Sequence, residues 1–240
     1  MRVRIVLAVS LLLALVAGAH AQLTVSAEAV NNATVQPAGP RTGSAGKNFF
    51  NIEGNNNGQF ASFGVADFNA SNFGLTLPVA DITGIRLILT EDRAAFSAAG
   101  GINIWLTKDT TTSIDPGTPP PLKWNATDLP NGLGAQLQPR YYLGSGIYTP
   151  TADGTIFEHT LSLTPEAKSY LISQLNSGGT IRIVVSPADD AVAATYAGYS
   201  HSSLAGPTLT LDLVPVPEPA SITALAIGVA GILWRRRRTA

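Results

Sequence analysis

Cysteine is absent from all 240 residues. That rules out disulfide staples and a thiol nucleophile, so stability has to come from packing and backbone pairing. Histidine is nearly as scarce, with three in the chain. Once His20 is assigned to the leader described below, only His159 and His201 remain, too few ligands for a zinc site. Calcium lacks its Asp-x-Asp-x-Asp-Gly loop, which leaves the adjacent Asp189 and Asp190 as weak candidates that backbone carbonyls would have to complete. The nucleophile-elbow pattern is also missing. Gly198-Tyr-Ser-His-Ser202 lacks the closing glycine, and no helical pattern follows it, so Ser200 reads as part of a polar loop. Acid pairs such as Glu91-Asp92 read as solvated turn residues at strand exits. No cofactor motif appears, and the expectation is a protein without enzymatic activity.

Long apolar runs are confined to the two ends. Arg2 and Arg4 form a positive n-region, residues 5–16 an apolar stretch, and Ala19-His20-Ala21 offers the small residues a signal peptidase needs. Residues 1–21 are therefore expected to be a signal peptide, cleaved before Gln22. At the other end, residues 220–234 carry no charge and end at Trp234, followed by Arg235, Arg236, Arg237 and Arg238. As a helix this stretch would reach about 22 Å at about 1.5 Å per residue, short of the ~30 Å hydrocarbon core, and so would anchor weakly. The four arginines would hold their end in the cytoplasm. Pro217 and Pro219 bracket Glu218 and stop the helix from extending upstream.

Proline motif, short apolar helix and arginine cluster, in that order over residues 215–240, resemble the PEP-CTERM sorting signal of Gram-negative and related bacteria. The resemblance implies processing by an exosortase, a membrane transpeptidase that recognises the region of Pro217, Glu218 and Pro219. It passes the protein from the inner membrane to the cell surface or extracellular matrix. The mature protein would then end near Glu218.

Between the two ends, residues 22–219 hold nine basic residues against sixteen acids, a balance of −7. Nucleic acid is an unsuitable partner for such a domain. The hydrophobic pattern is mostly of period two. Ile85, Leu87 and Leu89 alternate with their neighbours, as do Ile102, Ile104 and Leu106; Ile181, Ile183 and Val185; and Leu209, Leu211 and Leu213. Further strands are expected over residues 24–30, 48–52, 60–68, 141–143, 155–163 and 193–199. The fold class this predicts is an all-β antiparallel sandwich of jelly-roll type over residues 22–214. One helix interrupts it, with Thr164 as cap, Pro165 at its first position and Gly178 at its end.

Residues 115–150, rich in Pro and Gly, predict a long loop carrying Trp124, Tyr141, Tyr142 and Tyr148. These aromatics are either a platform for sugar rings or anchors that pin the loop to the sandwich. His159 shares a strand face with Phe157, Leu161 and Leu163, which suggests a buried imidazole bonded to neighbouring backbone. The segments Asn55-Asn-Asn-Gly58, Phe60-Ala-Ser-Phe-Gly-Val-Ala-Asp-Phe68, Ile82-Thr-Gly-Ile-Arg-Leu-Ile-Leu89, Leu163-Thr-Pro and Pro207-Thr-Leu-Thr-Leu211, with Trp124-Asn125, resemble DNRLRE-type domains. These are exported jelly-roll modules of bacterial surface proteins, some of which bind polysaccharide. The leading expectation is a structural or adhesive component of the envelope or biofilm matrix. The alternative is an exopolysaccharide-binding module, with a polysaccharide-active enzyme third.

Overall fold

The computed structural model of the protein describes residues 22–119 and 121–216. The signal peptide expected over 1–21, the motif at 217–219, the apolar stretch at 220–234 and the arginines at 235–238 lie outside the described residues. No described helix is long and apolar enough to cross a membrane.

The described chain is an antiparallel β-sandwich. Its first sheet runs β1 (Leu23–Glu28), β12 (Thr208–Pro215), β6 (Val79–Thr90), β9 (Ile156–Leu161). The second runs β3 (Gly39–Pro40), β2 (Asn31–Gln36), β5 (Phe63–Asn69), β10 (Thr180–Pro187), β7 (Gly100–Thr107), β8 (Arg140–Tyr148). A two-stranded ribbon of β4 (Phe49–Glu53) and β11 (Ala193–Ala197) closes one side. Alternation decides the layers. Ile85, Leu87 and Leu89 of β6 and Leu209, Leu211 and Leu213 of β12 meet Ile102, Ile104 and Leu106 of β7 and Ile181, Ile183 and Val185 of β10 in one core. The other face of the first sheet is polar. There Arg86 bonds Asp212 at 3.3 Å, and Thr24 donates to the same carboxylate at 2.6 Å.

The second sheet has apolar residues on both faces. Ala33, Val35, Phe63, Val65 and Val184 point away from the main core into a second one, roofed by Ile114, Leu122, Trp124, Leu133 and Leu137. This explains why β5 and β10 are buried almost throughout, which a half-exposed strand would not be. Within this layer Arg182 and Asp67, directly opposite on β10 and β5, form a bidentate pair at 2.6 and 2.8 Å. The remaining guanidinium nitrogen donates to the carbonyls of Asp109 and Thr112, at 2.9 and 2.7 Å, so the roof is stitched to the sheet through a buried cation.

α1 (Gly43–Asn48) and α2 (Pro165–Ser177) complete the chain. α2 starts with the Thr164 hydroxyl accepting from the Ala167 amide at 3.3 Å and ends at Gly178 in the left-handed region. It buries Ala167, Leu171 and Leu175 against the main core. The long loop is shorter than the sequence predicts. The strand expected over 141–143 extends to residues 140–148 as β8, paired along β7, and so takes up the end of the predicted loop. β2, not foreseen, begins with two asparagines, yet Asn32 bonds the carbonyls of Gly46 and Phe49 and accepts from the Tyr199 amide.

Removing one member of the buried pair should strand a charge. Asp67→Ala is expected to lose about 3–5 kcal/mol of stability in urea denaturation, and Asp67→Leu combined with Arg182→Met to lose clearly less. Equal losses would mean that the pair has no such role.

Candidate functional site

The four aromatics read from the sequence as either a sugar platform or loop anchors are separated. Trp124, 7% exposed, lies in the second core, and its amide donates to the Gln36 carbonyl at 3.1 Å. Gly132, in the left-handed region, lies against the indole so closely that a Cβ there would run into the ring. Tyr141 is half-buried at the edge of the main core, with the Lys108 ammonium 5.4 Å from its ring centre. Tyr142 faces outward, 48% exposed, with its ring 5.0 Å from Trp105 in an edge-on contact. Tyr148 is fully buried and donates to Glu91 at 2.6 Å. A strand puts successive side chains on opposite faces, so Tyr141 and Tyr142 cannot share one platform.

Asp189 is committed to its own turn. One carboxylate oxygen accepts from the amides of Ala191 and Val192, at 2.9 and 2.8 Å, and the other from the Gly101 amide. Among the described residues no group of three or more metal-binding side chains converges on Asp189 and Asp190. His201 directs Nε2 toward Asp92 at 3.4 Å, while its Nδ1 accepts from the amides of Ser203 and Leu204. Nδ1 is thereby occupied and is not free to take a proton from Ser200. His159 is buried as expected, but its Nε2 lacks a partner and burial lowers its pKa. Glu91 and Asp92 are not solvated turn residues. Both are buried, and burial pushes Glu91 up to about 7.

A different place gathers binding groups, on the outer face of the β4–β11 ribbon. Phe50 and Ile52 of β4 point into the main core, where a Cβ on Gly64 would run into the Phe50 ring. Phe49, Asn51 and Glu53 consequently point outward, with Thr195 of β11 opposite Asn51. They form the floor of a cleft of about 360 Å³. Short 3₁₀ segments, Asn55–Phe60 and Ala94–Phe96, build its walls and present Phe60 and Phe96, 52% and 78% exposed. Arg93, in the left-handed region at φ 58°, places its guanidinium 4.4 Å from the centre of the Phe49 ring, and that of Arg41 lies 5.8 Å away. Neither arginine forms an ion pair with a described residue; Arg41 has only a 3.4 Å bond to Asn51. Asn51 donates to Glu53 and Thr195 at 3.2 and 3.0 Å, and burial pushes the Glu53 carboxyl up to about 7. Sequence reading missed this site because four separate segments supply it. The legible trace was the outward-facing Phe49 in a strand whose other face is Phe50 and Ile52.

β12 ends at Pro215, and the Val216 amide donates to the Pro78 carbonyl at 2.8 Å. From here the chain matches a family model described as PEP-CTERM protein-sorting motif, over residues 215–238. The chain ends in a PEP-CTERM sorting motif. Such a motif implies an exosortase-sorted protein exported to the cell envelope by way of a membrane-anchored precursor. No curated protein matches the chain.

Two outcomes are expected. Trp124→Ala should lose on the order of 3 kcal/mol through the cavity it leaves, measured by chemical denaturation; an unchanged midpoint would place the indole outside the core. Glu91 and Glu53 ionise near 4.5 when unfolded and at about 7 when folded. Between those values the native state binds protons that the unfolded chain has released, so stability should fall as pH rises through this window. Glu91→Gln, which keeps an acceptor for Tyr148 without the charge, should flatten the slope of melting temperature against pH. A slope as steep as in the parent would clear Glu91.

Proposed function

We propose that the protein is an exported component of the cell surface or extracellular matrix, released to it by an exosortase and serving a structural or adhesive role. The observation that carries this reading is the sorting motif at 215–238, joined to a sandwich strand without a spacer. In this scheme residues 1–21 are a signal peptide that starts export, and the apolar stretch at 220–234 halts the chain in the inner membrane. Arg235, Arg236, Arg237 and Arg238 keep its end in the cytoplasm. The exosortase then acts in the region of Pro217, Glu218 and Pro219 and supplies the nucleophile. The exported chain needs no chemistry of its own. A stable, cysteine-free sandwich suffices, and Nδ1 of His201 is spent on two backbone amides, which supports a non-enzymatic role.

A second reading, an exopolysaccharide-binding module, is favoured by the open, aromatic cleft on the β4–β11 ribbon. The resemblance to DNRLRE-type jelly-roll modules supports it as well. Trp124 and Tyr148 would then serve as scaffold, with Tyr142 the exposed member of the aromatics first considered.

Sorting is tested by intact-mass analysis of the protein recovered from the envelope and culture medium of its host. The expected species begins at Gln22 and ends near Glu218. Recovery only of chains that retain Arg235 to Arg238 would overturn the proposal.

A further inference from the structure

We propose that the cleft on the β4–β11 ribbon binds a carboxylate-bearing sugar, a hexuronate residue of an acidic polysaccharide, with Arg93 and Arg41 on the carboxylate and Phe60 and Phe96 against the ring. This deepens the carbohydrate-binding reading by giving it a place and a ligand class, and it rests on that reading.

Three observations point to this chemistry. First, the domain over residues 22–219 carries nine basic residues against sixteen acids. Three of the nine, Arg86, Lys168 and Arg182, are paired with an acid; the other six form no ion pair with a described residue. What sets Arg41 and Arg93 apart from the other unpaired cations is place: both converge on one cleft and one phenyl ring, with Glu53, protonated below about 7, as the acid beside Arg41. A planar guanidinium donates two parallel hydrogen bonds to a carboxylate, and a fork held over an aromatic ring is already oriented to do so.

Second, the walls are too apolar for a bare inorganic anion. Phe60 and Phe96 are large hydrophobic side chains left open to solvent on either side of a concave surface, at a cost that a free surface would not favour. A pyranose ring presents C–H groups on one face and hydroxyls around its edge, and so can use phenyl walls and a polar floor together. Third, the floor supplies the hydroxyl partners. The Asn57 amide nitrogen is spent on the carbonyls of Gly54 and Val192, which leaves its oxygen to accept. Glu53, held by Asn51, keeps a second oxygen for the ligand, and its raised pKa lets it donate a proton below neutrality instead of repelling an anion. At about 360 Å³ the cleft stands at the lower end of the range for small-ligand sites, roughly 300–1,000 Å³. It suits one ring and its substituents better than a long segment of polymer.

The full chain, purified in a non-ionic detergent, is titrated by calorimetry with trigalacturonate, with its carboxyl-reduced galactose counterpart and with sulfated galactose trimer. Salt is held at about 0.15 M, where the Debye length of about 8 Å suppresses general charge attraction. Trigalacturonate should bind, and the reduced trimer should not. Arg93→Gln should weaken binding at least roughly tenfold, and Phe96→Ala several-fold. Both positions lie at the surface, and both variants should melt with the parent. Equal binding of the reduced trimer would overturn the carboxylate assignment while leaving a carbohydrate-binding protein. Equal binding of the sulfated trimer would reduce it to an unspecific anion site and overturn it too. Binding of trigalacturonate that survives Arg93→Gln unchanged would move the site elsewhere. If none of the trimers binds, this inference and the carbohydrate-binding reading fall together.

Discussion

The Arg182–Asp67 pair is the constraint on which the arrangement of layers depends. Two charges are taken out of water in the middle of the six-stranded sheet, and every nitrogen of the guanidinium is given an acceptor: two bond the carboxylate and the third bonds two loop carbonyls. A buried ion pair of this kind need not contribute much net stability, because desolvation offsets the attraction. What it contributes is uniqueness. A one-residue slip between β5 and β10 would turn Arg182 or Asp67 into the apolar main core with no partner. The same slip would release the carbonyls of Asp109 and Thr112, and with them the start of the roof.

That roof takes over part of what disulfides do in other exported domains. Without cysteine, the loop between β7 and β8 has no covalent staple, yet it lies flat on the outer face of the second sheet. Trp124 and its apolar neighbours bury area there. The Arg140 guanidinium donates to the carbonyls of Gln136 and Gly134 at 2.7 and 3.0 Å, and the Thr107 hydroxyl to that of Leu137 at 2.7 Å. Irregular backbone is tolerated at this depth only when its carbonyls and amides are bonded in this way.

How much of this was legible follows from which forces are local. Period two in β6, β7, β10 and β12 and the Thr164, Pro165 and Gly178 signals of α2 are written in neighbouring residues, and they locate strands and helix well. β2 was hidden because Asn-Asn reads as a turn, whereas here Asn32 bonds backbone across three segments. Only residues 141–143 read as strand inside a stretch rich in Pro and Gly, and pairing with β7 extends that strand to Tyr148 against the local preference. β10 reads as a half-buried strand of period two because Arg182 and Ser186 alternate with the apolar residues, and nothing local says that Arg182 meets Asp67 under a roof that buries the second face. The cleft was invisible for the same reason, since Arg41, Phe49, Phe60 and Arg93 become neighbours only when the ribbon closes the side of the sandwich.

The placement of the cleft relative to the sorted end follows from a single strand. β6 runs twelve residues, from Val79, opposite Pro215, to Thr90, three residues before Arg93. At about 3.3 Å per residue its ends are about 35 Å apart. The point where the chain leaves the sandwich toward the sorting motif and the wall of the cleft therefore sit at opposite ends of one strand in the middle of the first sheet. A precursor held at its C-terminal end would turn that end toward the bilayer. The cleft would face away from it, open to polymer outside the membrane before and after the exosortase acts. On the reading proposed above, attachment beyond residue 216 and capture at Arg93 would make no competing demand on the same surface, since the two lie at opposite ends of β6.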